Sequence, residues 1–262
     1  MPQDHRLQPQ RFELKYLVRE ELTQPIRDFV GSYLELDDYS VGRPNDAYEI
    51  HSVYLDSDRL DTHHATLNGD KNRFKLRLRY YDADPAAPVF CEIKQRVDNS
   101  ILKRRCAVPR AIVPLLLAGH LPEPAQLLSP EPRHLVALQR FHELLLQLNA
   151  RPRLHNHYRR EAWVSPHDNS IRVTFDRHIH VEPYFGNEAV ATMQRPTRIY
   201  PEFVVLELKF TSRFPNWFNA LVERFNLMRG ASMKYCGGVE ALGEQRFWNS
   251  GGQSGASTAT LN

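Results

Sequence analysis

In the stretch NRFKLRLRYY, residues 72–81, Arg73, Lys75, Arg77 and Arg79 alternate with Phe74, Leu76, Leu78 and Tyr80. A period of two is a strand signal, because successive side chains leave a strand on opposite faces. One face of this strand is therefore apolar, and the other carries four positive charges in a row. Such a row repels itself unless an anion meets it. The pattern constrains the fold and the ligand together.

The same alternation recurs along the chain. In RFELKYLV, Arg11, Glu13 and Lys15 alternate with Phe12, Leu14 and Tyr16. Glu92, Lys94 and Arg96 share a face in VFCEIKQR, as do Lys103 and Arg105 in ILKRRC. Arg172, Thr174 and Asp176 do so in SIRVTFD, and Glu207 and Lys209 in VVLELKF. Period-two patterning predicts eight strands, at 11–18, 48–56, 73–82, 89–96, 101–108, 153–164, 170–181 and 202–211. Helical spacing predicts helices near 20–34, 58–66, 109–118, 132–147, 215–228 and 235–246. The short connections between 73 and 108 predict an antiparallel meander. The expected architecture is α+β: an eight-stranded antiparallel β-barrel, closed on itself, with helices packed outside. One domain is expected over 11–248, between a flexible start at 1–10 and a disordered tail at 249–262, where NSGGQSGASTATLN is small and polar.

A net charge of +3 over 262 residues is too small for a protein that coats nucleic acid, so a basic site must be local. Few aromatics share the basic faces, which also argues against nucleic acid. Three cysteines, Cys91, Cys106 and Cys236, form no CxxC pair and fit a reducing, cytoplasmic setting. The polar start lacks a signal-peptide core, and the longest apolar run, AIVPLLLA, is too short to span a bilayer. No Gly-rich phosphate loop, HExxH or GxSxG is present. Among the histidines, the pairs His155/His157 and His178/His180 read as surface residues, and His63-His64 receives no role.

In a closed barrel the charged faces line a channel. Cations so confined call for a multiply charged anion, and a phosphate chain is the obvious one. Isolated glutamates among them could hold a divalent cation bridging phosphates.

The motifs RFELKYLV, LRLRYY, CEIKQR with ILKRR, YRREAW, IRVTFD, LELKF and SMKYCGG occur in this order over residues 11–246. The ordered set resembles the VTC-type polyphosphate polymerase domain of the triphosphate tunnel metalloenzyme, or CYTH-like, superfamily. The resemblance implies an eight-stranded tunnel and an enzyme that moves the γ-phosphoryl of ATP onto a growing polyphosphate chain, with Mn²⁺ or Mg²⁺. By motif position it implies Lys15, Lys94, Arg77 and Arg79 as catalytic residues. Lys103, Arg160, Arg172, Lys209 and Lys234 would bind substrate, and Glu207 the metal. ATP and inorganic polyphosphate are the implied partners, together with a membrane-protein partner for a chain that has no membrane segment of its own. Arg11 stands where hydrolytic relatives carry the first Glu of ExExK, and Met233 precedes Lys234. Parity counted from Arg153 leaves open whether Arg159 or Arg160 faces the tunnel. Two other functions stay open: a metal-dependent tripolyphosphatase or triphosphatase on the same scaffold, and a non-catalytic polyphosphate-binding module.

Overall fold

Among the described residues ten strands join in one sheet: β1 (Arg11–Arg19), β2 (Glu35–Leu36), β3 (Tyr48–Asp56), β4 (Arg73–Tyr80), β5 (Val89–Val97), β6 (Ser100–Val108), β7 (Arg151–Val164), β8 (Ile171–Pro183), β9 (Thr197–Arg198) and β10 (Phe203–Thr211). This computed structural model describes residues 11–248 except 99, 130, 167–169, 212 and 231–232. The segments 1–10 and 249–262, expected to be flexible and disordered, lie outside the described residues.

Eight long strands stand where period-two patterning puts them, and β2 and β9 are short additions. Their order is β1-β10-β8-β7-β3-β4-β5-β6, with β2 on β7 and β9 on β8, and every pairing is antiparallel. The expected closed barrel is therefore corrected to an open, curled sheet, because β1 and β6 do not pair. Eight strands alone do not force closure, since tilt and stagger must also match. Part of the free edge of β1 is engaged elsewhere: Tyr16 bridges to Arg229, and Gly230 donates its N–H to the Lys15 carbonyl. The curl still brings the two walls together through side chains, with Lys94 on β5 lying 3.7 Å from Glu13 on β1.

The helices are α1 (Thr23–Gly31), α2 (Asp61–Leu67), α3 (Val113–Leu117), α4 (Pro132–Gln147), α5 (Asn216–Arg224), α6 (Lys234–Leu242) and α7 (Gln245–Trp248). In α4, Pro132 starts the helix without losing a needed hydrogen bond, and Ala137, Leu138, Phe141, Leu144 and Leu145 form its buried stripe. That stripe packs with Leu76, Leu78, Cys91, Ile93 and Cys106 on the apolar side of β4–β6. On the other wall, α1 and α5 cover Leu206, Leu208, Val173 and Tyr16. Leu60, in the left-handed region at φ 58°, delays α2 to Asp61. Gly243, at φ 83°, breaks the single helix expected over 235–246 into α6 and α7.

One helix corrects the expectation that all pack outside. Helix α6 lies on the concave, charged side of the sheet, where Tyr235 stacks on Tyr54 at 4.8 Å. Gly238 permits this approach: a Cβ there would come within 3.0 Å of Leu154 and Val181. The concave side thus has a floor of apolar residues under α6 and a charged region beyond it.

Candidate functional site

Residues directly opposite in an antiparallel pair share a face, so the register fixes what lines the concave side. One rung runs Lys15, Glu207, Thr174 and Ala162 across β1, β10, β8 and β7. Another places Tyr54, Arg77, Glu92 and Arg105 together. Lys75, Lys94 and Lys103 form a row of three ammonium groups across β4, β5 and β6. Apolar residues alternate with most of these, although Arg104 separates Lys103 from Arg105 and Glu161 precedes Ala162, so the strands carry charge inward and mainly core outward.

Two carboxylate-centred clusters organise the charge. Glu207 is buried and meets four cations: Lys15 at 3.3 Å, Arg160 and Lys234 at 3.2 Å each, and Lys209 in direct contact. Asp176, fully buried, takes both arms of the Arg160 guanidinium at 2.6 and 2.7 Å and Lys234 at 2.6 Å. Arg160 and Lys234 also lie over the Tyr158 ring. Burial pushes the Glu207 carboxyl up, but Lys209, Lys234, Lys15 and Arg160 together hold it well below the usual carboxylate range. Burial brings the Lys209 ammonium down to about 8 despite the opposing pull of Glu207.

On the other wall Glu92 meets Arg77 at 2.6 Å, Arg105 at 3.4 Å and Arg79 at 3.7 Å. Burial works against ionisation of Glu92, yet Arg77, Arg79 and Arg105 bring its pKa down to about 2. The buried Arg79 Nε finds no hydrogen-bond acceptor among the described residues. Between the clusters Lys94 keeps 44% of its side chain accessible, although it sits inside the curl. Burial of its ammonium lowers it to about 8, with Glu13 opposing and Lys15 and Lys103 adding to the fall. The Tyr54 phenol is raised by burial but lowered overall by Arg77, Arg79, Lys75 and Lys234.

A profile of the VTC domain matches residues 10–243 of this chain. The chain belongs to the VTC domain family. A search of curated proteins returns no match for this VTC domain. Among solved structures, the PH1819 protein of Pyrococcus horikoshii OT3 is similar at 14% identity and TM-score 0.43, over 90% of this chain and 99% of that one. A Vibrio parahaemolyticus protein provisionally named an adenylate cyclase is similar at 11% identity and TM-score 0.42, over 86% and 95% of the two chains.

All ten residues singled out from the sequence lie along the concave side of this VTC domain. Lys15, Arg160, Lys209, Glu207 and Lys234 come together in one cluster, and Arg77 and Arg79 in the other. Lys94 and Lys103 bridge the space between them, and Arg172 stands apart, 2.6 Å from Asp37. The choice between Arg159 and Arg160 is resolved. Arg159 points to the convex side with Glu49, and Arg160 points inward. The histidine face of β7 is the outer one, so its parity never conflicts with an inward Arg160. The extra residue in the β7–β8 register falls on β8, near His178 at φ 51°.

His155 corrects the reading of the histidine pairs as surface residues. It is fully buried and lies 3.1 Å from His51. Sequence reasoning passed over Lys75 and Arg105 as site residues, although both share parity with residues it chose. It also passed over Asp37, which follows the two-residue strand β2 and shows no periodic signal.

The donor set fits a divalent cation in one limited way. Lys15 Nζ lies 3.2 Å from Glu13 and 3.3 Å from Glu207, so these two carboxylates already share a cation. Among the described residues no third His, Cys, Asp or Glu ligand atom gathers there. The arrangement suits Mg²⁺ or Mn²⁺, which commonly take one or two carboxylates and fill the shell with phosphate oxygens. No helix among the described residues is long and apolar enough to cross a membrane.

Proposed function

We propose that this VTC domain is a phosphotransferase that lengthens polyphosphate with the γ-phosphoryl group of ATP inside the curled sheet. The supporting observation is the charge imbalance. Lys15, Lys75, Arg77, Arg79, Lys94, Lys103, Arg105, Arg160, Arg172, Lys209 and Lys234 face Glu13, Asp37, Glu92, Asp176 and Glu207. Basic groups outnumber carboxylates by more than two to one in a confined space, and a phosphate chain supplies the missing negative charge.

Phosphoryl transfer needs positioning and charge neutralisation more than covalent help from the protein. The terminal oxygen of the acceptor chain attacks the γ-phosphorus. A new P–O bond forms as the bond to the β–γ bridging oxygen breaks, and that oxygen leaves with the electron pair on ADP. Arg77, Arg79, Arg160 and Arg172 hold non-bridging oxygens, while Lys15, Lys94 and Lys209 neutralise the transferring group and Lys103 and Lys234 the chain beside it. An acceptor that is already ionised needs no general base. A Mn²⁺ or Mg²⁺ held by Glu207, with Glu13 beside it, would add positive charge at the phosphates.

The test is incubation of the pure protein with ATP and Mn²⁺, followed by gel sizing. Long polymer is the expected product. Free phosphate without polymer would instead identify a hydrolase, and tight binding without turnover a binding module. In the same assay Glu207→Gln is expected to reduce synthesis by about 10²-fold or more, the scale of losing one main electrostatic contact, while tripolyphosphate still binds. Near-wild-type synthesis by folded Glu207→Gln protein would remove Glu207 from the metal role.

A further inference from the structure

Away from the basic groove, α2 and the α6–α7 turn converge on a group of side chains that the proposed chemistry leaves unused. His63 and His64 are adjacent on α2, and both reach Glu244. His63 Nε2 lies 3.2 Å from one Glu244 oxygen, and His64 Nε2 lies 3.5 Å from the other. We propose that His63, His64 and Glu244 form a binding site for a divalent transition-metal ion of the Zn²⁺ type.

The spacing suits such an ion. Zn²⁺ bound tetrahedrally at about 2.1 Å sets neighbouring donors about 3.4 Å apart, and two imidazoles with one carboxylate are a known donor set. In the group all three ligand atoms lie within 4.8 Å of one another. Two neighbouring helix residues do not normally face one point, since each step along a helix turns about 100°. Here the rings meet at 70° with centroids 5.1 Å apart, and Glu244 sits between their nitrogens.

His63 and Glu244 are positioned by something other than the group itself. His63 is fully buried, and its ring meets Tyr235 edge-on at 6.0 Å. Its backbone N–H donates to Asp56, whose carboxylate also accepts from the Tyr235 hydroxyl. Gly243, at φ 83°, turns the chain after α6 so that Glu244 comes back toward α2. His64 and Glu244 are part-exposed, at 44% and 32%, which leaves the ion a route in and room for water as a fourth ligand. A bound ion would pin the α6–α7 turn to α2.

The experiment uses the full chain, stripped of metal and titrated with Zn²⁺, with Co²⁺ as a coloured substitute. His64→Ala and Glu244→Gln are the variants, because both positions are partly exposed and tolerate change better than buried His63. The expected result is one Zn²⁺ per wild-type chain, a raised Tm, and a loss of affinity of at least about tenfold in each variant. Absence of binding to wild type overturns the proposal. So does full affinity in either variant, since the ion would then sit elsewhere or on fewer ligands.

Discussion

The two carboxylate clusters of the concave side solve the same problem with different cations. Glu92 is held by three arginines, while Glu207 is held by three lysines and one arginine that it shares with Asp176. Arginine stays charged at any accessible pH and presents a fixed fork of donors, whereas lysine is a point charge whose pKa moves when it is buried. The Glu92 wall is therefore a permanent grip. The Glu207 wall is where the charge state can change, and it is also the wall against which α6 sets Lys234. On the proposed function, the first wall would hold the phosphate chain and the second would answer charge that shifts between donor and acceptor.

The largest effect that separates the walls comes from Arg160, which together with Lys234 bridges the two buried carboxylates Asp176 and Glu207. Arg160→Met should cost about 3 kcal/mol of stability, the low end for breaking a buried ion pair because Lys234 still touches both partners. Tripolyphosphate affinity should fall with it. Arg159→Ala is the control: Arg159 pairs with Glu49 on the convex side at 49% exposure, and such pairs contribute less than about 1 kcal/mol. Urea unfolding and binding titrations of both variants check this. Equal losses at the two positions would erase the distinction between inner and outer faces.

A smaller effect, of opposite sign for binding, is expected at Glu92. Glu92→Gln removes the one carboxylate shared by Arg77, Arg79 and Arg105 and leaves them facing one another. The ligand-free variant should melt below wild type, while tripolyphosphate should bind more tightly, on the order of tenfold at low salt. Added salt should shrink the gain. Weaker binding by the variant would mean that Glu92 positions the arginines rather than merely neutralising them.

Much of this was legible in the chain. Alternation alone locates the eight long strands and their charged faces, because a strand cannot place neighbouring side chains on one side. The residues that carry the clusters follow from the same parity, together with the motif order. Features that depend on distant partners were not legible. Whether eight strands close is not written in their alternation, and part of the β1 edge is taken by Arg229 and Gly230, far along the chain. The inward position of α6 rests on Gly238 meeting Leu154 and Val181, and no local period announces it. Asp37 escaped notice because a loop carboxylate has no pattern until Arg172 is placed beside it. His155 was misread because a histidine on a strand's outer face looks solvent-exposed until a neighbouring ring, here His51, is found against it.

The smallest effect tests the claim that lysines at and beside the Glu207 cluster change charge, while the arginines around Glu92 do not. Lys209 and Lys94 are both brought down to about 8 by burial. A bound phosphate chain favours their charged forms, so it raises both pKa values. The sign follows: binding takes up protons near pH 8, and affinity falls as pH rises through 8. With two lysines each half-charged at pH 8 and nearly fully charged at pH 7, the loss between those values is about threefold. Calorimetric titration of tripolyphosphate in two buffers of different ionisation enthalpy reads the proton uptake directly. Lys209→Arg should flatten part of the pH dependence, since an arginine there stays charged. In Glu92→Gln the slope should be unchanged, because its arginines do not titrate in this range. Proton uptake that vanished in Glu92→Gln and persisted in Lys209→Arg would reverse the assignment of the two walls.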